Sequence, residues 1–216
     1  MSARSNPERP NPAQSLRERF RETTVQAILA AAEDVLAESG LPAAHMGEIA
    51  ARAGVSVGTL YNHFADREAL LAGLAYARFA DMLARLDATL ERTAGQKFRE
   101  RMEALVTDLL SHWERHRKFT QIVMQGEAGH YQKSSPAVTL AMRDKMRELN
   151  ARVEQVTSQG VREKAIRPEI AELAPFFLMG LMRSLFIRDL VLENQGQDLS
   201  TQAGVVLEAF LNGVGT

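Results

Sequence analysis

The segment Glu48-Ile-Ala-Ala-Arg-Ala-Gly-Val-Ser-Val-Gly-Thr-Leu-Tyr-Asn-His-Phe64 constrains the fold more than any other part of the chain. It predicts a helix, a tight turn and a second short helix. Ile49, Ala50 and Ala53 fall at i, i+1 and i+4, a narrow stripe of small apolar side chains on the first helix. Gly54 can take the left-handed conformation that ends a helix, and Val55 is the hydrophobic residue that follows such an end. Ser56 can cap the next helix, its hydroxyl accepting a bond from an orphan backbone N–H. Leu60 and Phe64, four apart, give that helix its apolar stripe, while Thr59, Asn62 and His63 point elsewhere. In a helix-turn-helix the first helix braces and the second presents short polar side chains to a DNA major groove.

The rest of the chain predicts helices only. One covers Arg19 or Thr24 to Ser39 and ends at Gly40, with Val25, Ile28, Leu29, Ala32, Val35 and Leu36 at helical spacing. Asp66 is a good cap for a helix reaching Arg92, with Glu68 in its first turn. Further helices are expected over 97–116, 119–126, 136–163, 171–194 and 200–211. Ser135-Pro136 is a strong helix start, a cap followed by proline at the first helical position. No strand pattern, repeat or low-complexity block interrupts them, so the fold class is all-α, with about nine helices. Residues 1–18, with Pro7, Pro10 and Pro12 among Ser, Asn and Arg, read as a disordered N-terminal tail. Residues 19–68 then form a helix-turn-helix DNA-binding domain, and 69–216 a second helical domain.

Composition narrows the chemistry. The chain has 216 residues, 45% hydrophobic and 25% charged, ordinary values for a soluble globular protein. The absence of cysteine excludes disulfides, thiolate metal sites and a cysteine nucleophile. No apolar stretch follows the N-terminal arginines as in a secretory signal. The longest apolar run, Leu173 to Met182, is about half the ~20 residues of a membrane span. A cytoplasmic protein with no membrane partner is expected. Net charge is −1, and residues 1–70 hold seven arginines against nine acids. DNA binding must therefore rest on local placement of arginines rather than on bulk charge. Arg17, Arg19 and Arg21 read either as a solvated helix start or as phosphate contacts. Arg52 reads equally as a solvated charge or a phosphate contact.

The stretch Ile49–Phe64, followed by Arg67-Glu68-Ala69-Leu70-Leu71, resembles the N-terminal signature of the TetR family of bacterial transcriptional regulators. Ile28-Leu-Ala-Ala-Ala32 and Glu38-Ser-Gly40 fit the family's first helix. The likeness covers roughly residues 20–75; the remainder resembles the family only in length, helix count and hydrophobic pattern. The resemblance implies a homodimer that binds a double-stranded, palindromic DNA operator. It also implies a C-terminal ligand-binding and dimerisation domain whose small-molecule effector releases the operator. Such a protein is a ligand-responsive transcriptional regulator, most often a repressor. Thr59, Tyr61 and His63 match positions that touch phosphates or bases. Val57, Gly58 and Asn62 match the variable positions that help read sequence. Arg67 stands where the family usually has Lys, and keeps a phosphate-binding charge. Before the first helix of the motif, Ala44-His45-Met46 replaces the family's usual Thr or Ser, so that cap is lost unless His45 supplies one. Tyr61 could also simply pad the first helix.

In the C-terminal half, Trp113, Phe119, Met124, Phe177 and Met182 are candidate pocket residues, since aromatics and methionines line adaptable apolar cavities. The 171–194 helix is apolar nearly all round, so more than one side must be buried. Phe186, with Val206 and Phe210 of the last helix, is assigned to a dimer interface. His112 and His116 share one helix face and can form a metal pair. Two ligands without a visible third are a weak site, so no metal is assigned and no cofactor is expected. No catalytic motif is recognisable. Two alternatives stay open: a helical dimeric interaction protein that has lost DNA binding, and an all-α metal-binding protein or enzyme using His112 and His116.

Overall fold

The structure, a computed structural model, describes residues 12–121, 136–192 and 198–214, and all of their regular structure is helical. The chain forms two compact units, Met1–Leu74 and Ala75–Thr216. The expected boundary at 68/69 falls slightly earlier, in the same helix.

The N-terminal unit is built from α1 (Pro12–Ala43), α2 (Met46–Arg52), α3 (Val57–His63) and the start of α4 (Arg67–Arg92). Helix α1 begins at Pro12, inside the stretch expected to be tail. Proline at a first helical position and the good helix former Ala13 explain the early start. Residues 16–23 are exposed, with Leu16 and Phe20 facing solvent. Gly40 breaks α1 as expected, at φ 72°. Ile28, Leu29, Ala32, Val35 and Leu36 of α1 pack with Ile49, Ala50, Leu60, Phe64 and Leu70 in the buried centre of the unit.

In the second unit, α5 (Phe98–Arg115) is the central element. Its residues 98, 102, 105, 106, 109, 110 and 113 are all buried, one broad apolar face of the helix. Helices α7 (Pro136–Arg162) and α9 (Ala203–Val214) pack on it, and α8 (Ala174–Val191) packs on α7 and α9. A helical segment at 117–121, here α6, follows α5. Short 3-10 turns at Pro168–Ile170 and Leu199–Gln202 lead into α8 and α9. The predicted helix at 171–194 thus starts at Ala174, and Pro175 sits in its first turn, where its missing N–H costs nothing.

Polar contacts fix the ends of these helices. The Asp66 carboxylate accepts the Ala69 N–H at 2.7 Å, the cap expected for α4. The Glu163 carboxylate, just past α7, accepts the Phe98 N–H at 3.0 Å and joins the end of α7 to the start of α5. Arg152 of α7 forms a two-pronged pair with Asp87 of α4, at 2.7 and 2.8 Å. Arg117 reaches Asp189 of α8 at 2.6 Å, and that carboxylate is 2% exposed.

Gly160 marks the closest approach in this unit. A Cβ there would stand 2.8 Å from the Phe98 ring and 2.9 Å from the Ile166 Cδ1, both side chains being fully buried. Gly160→Ala should therefore cost about 1–3 kcal/mol by overpacking. Gly95→Ala, with nothing within 4 Å of the new methyl, should stay within about 0.5 kcal/mol. Chemical denaturation of both variants checks this; equal midpoints would contradict it. In the first unit, Ser56→Ala should remove about 1 kcal/mol, read from the same measurement, because the α3 cap is lost.

Candidate functional site

The segment 48–64 folds as its residues predict. Ala53 and Gly54 close α2, with Gly54 at φ 70° and the Val55 N–H donating to the Ala50 carbonyl at 3.0 Å. The Ser56 hydroxyl accepts the Thr59 N–H at 3.0 Å and shares a second bond with the Thr59 hydroxyl at 2.8 Å. Leu60 is fully buried and Phe64 nearly so, which sets the rotation of α3. That rotation turns Val57, Gly58, Tyr61 and Asn62 to solvent, with Tyr61 48% exposed, while Thr59 and His63 are half-buried.

The remaining candidates in this unit fall into three groups. Arg19 and Arg21 are exposed on the solvent-facing early turns of α1, and Arg67 is half-buried at the start of α4. His45 occupies the residue before α2, exposed, and its side chain makes no cap bond. The hydroxyl cap absent from the sequence is therefore not replaced. Arg52 lies in a two-pronged pair with Glu38 of α1, at 2.6 and 2.7 Å, with Glu48 at 3.6 Å. The pair raises the arginine and lowers the carboxyl from their ordinary ranges, chiefly through the hydrogen bonds. It ties α2 to α1, a role that neither sequence reading of Arg52 included.

The second unit contains a cavity of about 260 Å³. Phe79, Met82, Trp113, Phe119, Met146, Leu149 and Met179 give it an apolar lining, and Arg78, His112, Thr120 and Arg183 add polar groups. Of the residues expected there, Trp113 and Phe119 line it. Met124 lies outside the described residues. Phe177 and Met182 do not line it: Phe177 is 46% exposed and Met182 is fully buried beside it in the core. Met179 and Arg183, four apart on the α8 face between those two, line it instead. Their i, i+4 spacing was visible in the sequence; the helix phase was not.

The expected dimer residues are also corrected. Phe186, Val206 and Phe210 are 0%, 5% and 1% exposed, buried in the core of their own unit. Phe186 packs edge-on against Trp113, ring centroids 6.0 Å apart, with the Arg117 guanidinium over its face. Because α8 is apolar all round, its sequence does not show which side faces the core. The exposed apolar side is Phe176, Phe177, Ile187 and Val191, joined in α9 by Val205.

At the end of α5 the structure adds a group the sequence did not assemble. Asp81 of α4 stands with His112 and His116, and one ligand atom from each lies within 4.8 Å of the others. His112 Nδ1 is 3.5 Å from Asp81 Oδ2, and the two imidazole centroids are 4.7 Å apart. Burial, with His116 adding to it, pushes His112 down to about 4, so its imidazole is neutral at neutral pH. Asp81 is held by Arg85, whose Nε donates to the carboxylate at 3.0 Å. Its carboxyl lies below its usual range: burial opposes the shift, but the hydrogen bond and charge of Arg85 outweigh it.

Comparisons with known proteins agree with this geometry. Residues 28–74, which contain α2 and α3, match the family described as "Bacterial regulatory proteins, tetR family". No curated protein matches the sequence significantly. The fold is similar to that of the fatty acid degradation regulator FadR from Bacillus halodurans, at TM-score 0.73 and 19% identity over 87% of this chain and 94% of that one. It is equally similar to the transcriptional regulator FadR from Bacillus subtilis in complex with stearoyl-CoA, at TM-score 0.73 and 20% identity over 88% and 98%. The TetR family transcriptional regulator PfmR from Thermus thermophilus follows at TM-score 0.71 and 18% identity over 86% and 97%. Residues 28–74 thus match the TetR family of bacterial regulatory proteins, and the fold of the chain is similar to that of transcriptional regulators of that family.

Proposed function

We propose that this protein is a transcriptional repressor that binds a palindromic operator as a homodimer and releases it when an acyl compound with an anionic head group enters the cavity of the second unit. The observation that carries the reading is the capped α3, which turns Val57, Gly58, Tyr61 and Asn62 outward from a buried Leu60 anchor. A recognition helix needs such a rigid base and a free outer face. Val57 and Gly58 offer bases little beyond apolar contact, so Asn62 carries the hydrogen-bonding readout and DNA shape the rest. Thr59, Tyr61, His63 and Arg67 hold the phosphate backbone, with Arg19, Arg21 and His45 as flanking contacts. The N-terminal segment is not basic, so affinity depends on this placement and on two readers acting together. The protein works in the cytoplasm, where its operator lies.

The effector class follows from the cavity. Aromatic and methionine side chains suit an acyl chain, and Arg78 and Arg183 suit a carboxylate or phosphate at its end. The B. subtilis neighbour in complex with stearoyl-CoA supports this class. The second protomer is placed on the exposed apolar side of α8 and α9, where Phe176, Phe177, Ile187, Val191 and Val205 would otherwise stay in water.

Selection from genomic fragments should return a palindromic site, and gel shifts on that site test the residues. Tyr61→Phe with His63→Ala should weaken binding by at least about tenfold, since each lost hydrogen bond is worth on the order of 1 kcal/mol. Arg67→Ala should flatten the salt dependence by about one unit of log–log slope per protomer. Unchanged affinity and slope would refute the interface. Met179→Trp should fill part of the cavity and leave operator binding intact while abolishing release by palmitoyl-CoA. Release at the wild-type concentration would show that the effector binds elsewhere.

A further inference from the structure

We propose that Asp81, His112 and His116 form a divalent transition-metal site in the cavity wall, best suited to Zn²⁺, with a coordination position left open toward the cavity. The donor set is two imidazoles and one carboxylate, the ligand chemistry of zinc sites that keep an exchangeable position. Three donor atoms already lie within 4.8 Å of one another. Two ligands ~2.1 Å from a tetrahedral ion stand ~3.4 Å apart. The 3.5 Å between His112 Nδ1 and Asp81 Oδ2 is thus the edge of such a tetrahedron. It is long for a hydrogen bond, and His112 Nδ1 has no hydrogen-bond partner although it is buried.

A buried imidazole nitrogen aimed at a carboxylate without bonding to it is an expensive arrangement. A metal ion between the two satisfies both. His112 is 4% exposed and anchored on the most buried helix of the unit, so its position is set by packing. Asp81 and His116 are half-buried and can rotate the remaining distance. Arg85 holds the carboxylate from outside, as groups behind metal ligands do. The i, i+4 spacing of the histidines puts both on one face of α5 and its first residue beyond, and α4 supplies the third ligand across the helix pair. His112 also lines the cavity, so a metal on its ring stands where a cavity ligand can reach it. The open position is the part of this proposal that rests on the cavity being a ligand site; the three-ligand cluster stands without it.

The test uses the full-length protein stripped with a chelator and titrated with Co²⁺, then with Zn²⁺ in competition. The expected result is one equivalent of Co²⁺ per chain with the intense visible bands of a four- or five-coordinate site, lost when Zn²⁺ displaces it. Asp81→Asn and His116→Gln should each weaken binding about tenfold or more. Neither should lower the melting temperature of the stripped protein, which separates ligand loss from misfolding. Azide should shift the Co²⁺ bands if a position is open. Absence of a visible spectrum, or equal affinity in both variants, would overturn the site. Stoichiometric binding without an azide response would overturn the open position alone. None of these readouts involves DNA or an acyl ligand, so a failed effector assay and a failed metal titration are distinguishable.

Discussion

The second unit depends on the burial of α5. Phe98, Met102, Leu105, Val106, Leu109, Leu110 and Trp113 are removed from water along one broad face of the helix. Truncating any one of the leucines would cost about 2–5 kcal/mol. The opposite side of α5 carries the exposed Arg99, Glu100, Glu103 and Arg115, and this division between apolar and charged sides sets the rotation of the helix. Here α7, α9 and the Leu199–Gln202 turn pack on it, and the chain closes the two ends with Glu163 on Phe98 and Arg117 on Asp189. The polar residues of the last turn are carried inside as a consequence. His112 is held neutral there by the same burial that orders the leucines below it.

Other buried polar groups of this unit are partly partnered, Arg101 Nε and Asp189 Oδ2 also lacking a hydrogen bond. Arg101 is 7% exposed and donates to the Gln159 side chain at 2.5 Å and to the Leu90 carbonyl at 3.4 Å. Thr89 bonds to Asp108, and Arg92 reaches both. These contacts tie α4 to α5 at the end away from the cavity. Arg101 has two other bonds through its guanidinium and Asp189 a 2.6 Å ion pair with Arg117, whereas His112 Nδ1 has only the Asp81 carboxylate 3.5 Å away.

The reader segment was legible because its signals are local. Gly54 at positive φ, the Ser56 cap, the Asp66 cap and the Leu60/Phe64 spacing each act within four residues of themselves. The start of α1 is hard to read from the sequence because Pro12, which begins the helix, follows Pro7 and Pro10 in a stretch with the composition of a tail. The C-terminal half was harder for a different reason. Periodicity gives a helix its phase only when one side is polar, and α8 has no polar side. Phe177, Met182 and Phe186 were therefore distinguishable as apolar but not as outward, core and core. The Asp81 ligand is non-local: α4 and α5 bring it to His112 across the intervening turn, and no spacing rule reaches that far.

Helix α8 makes three kinds of contact from one rigid cylinder. Leu178, Met182 and Phe186 face the core, Met179 and Arg183 face the cavity, and Phe176, Phe177, Ile187 and Val191 face outward. A ligand changes a conformational balance only through contacts that differ between the two states. A molecule lodged against Met179 and Arg183 presses on the helix that also carries the outward face, and the close-packed core behind it resists local deformation. Movement of α8 as a body would reposition the outward residues together with the cavity wall. Trp113, seated edge-on against Phe186 and lining the same cavity, joins α5 to α8 at that wall. The absence of a polar side, which hid the phase of α8 in the sequence, is what lets one helix serve core, cavity and outer surface at once.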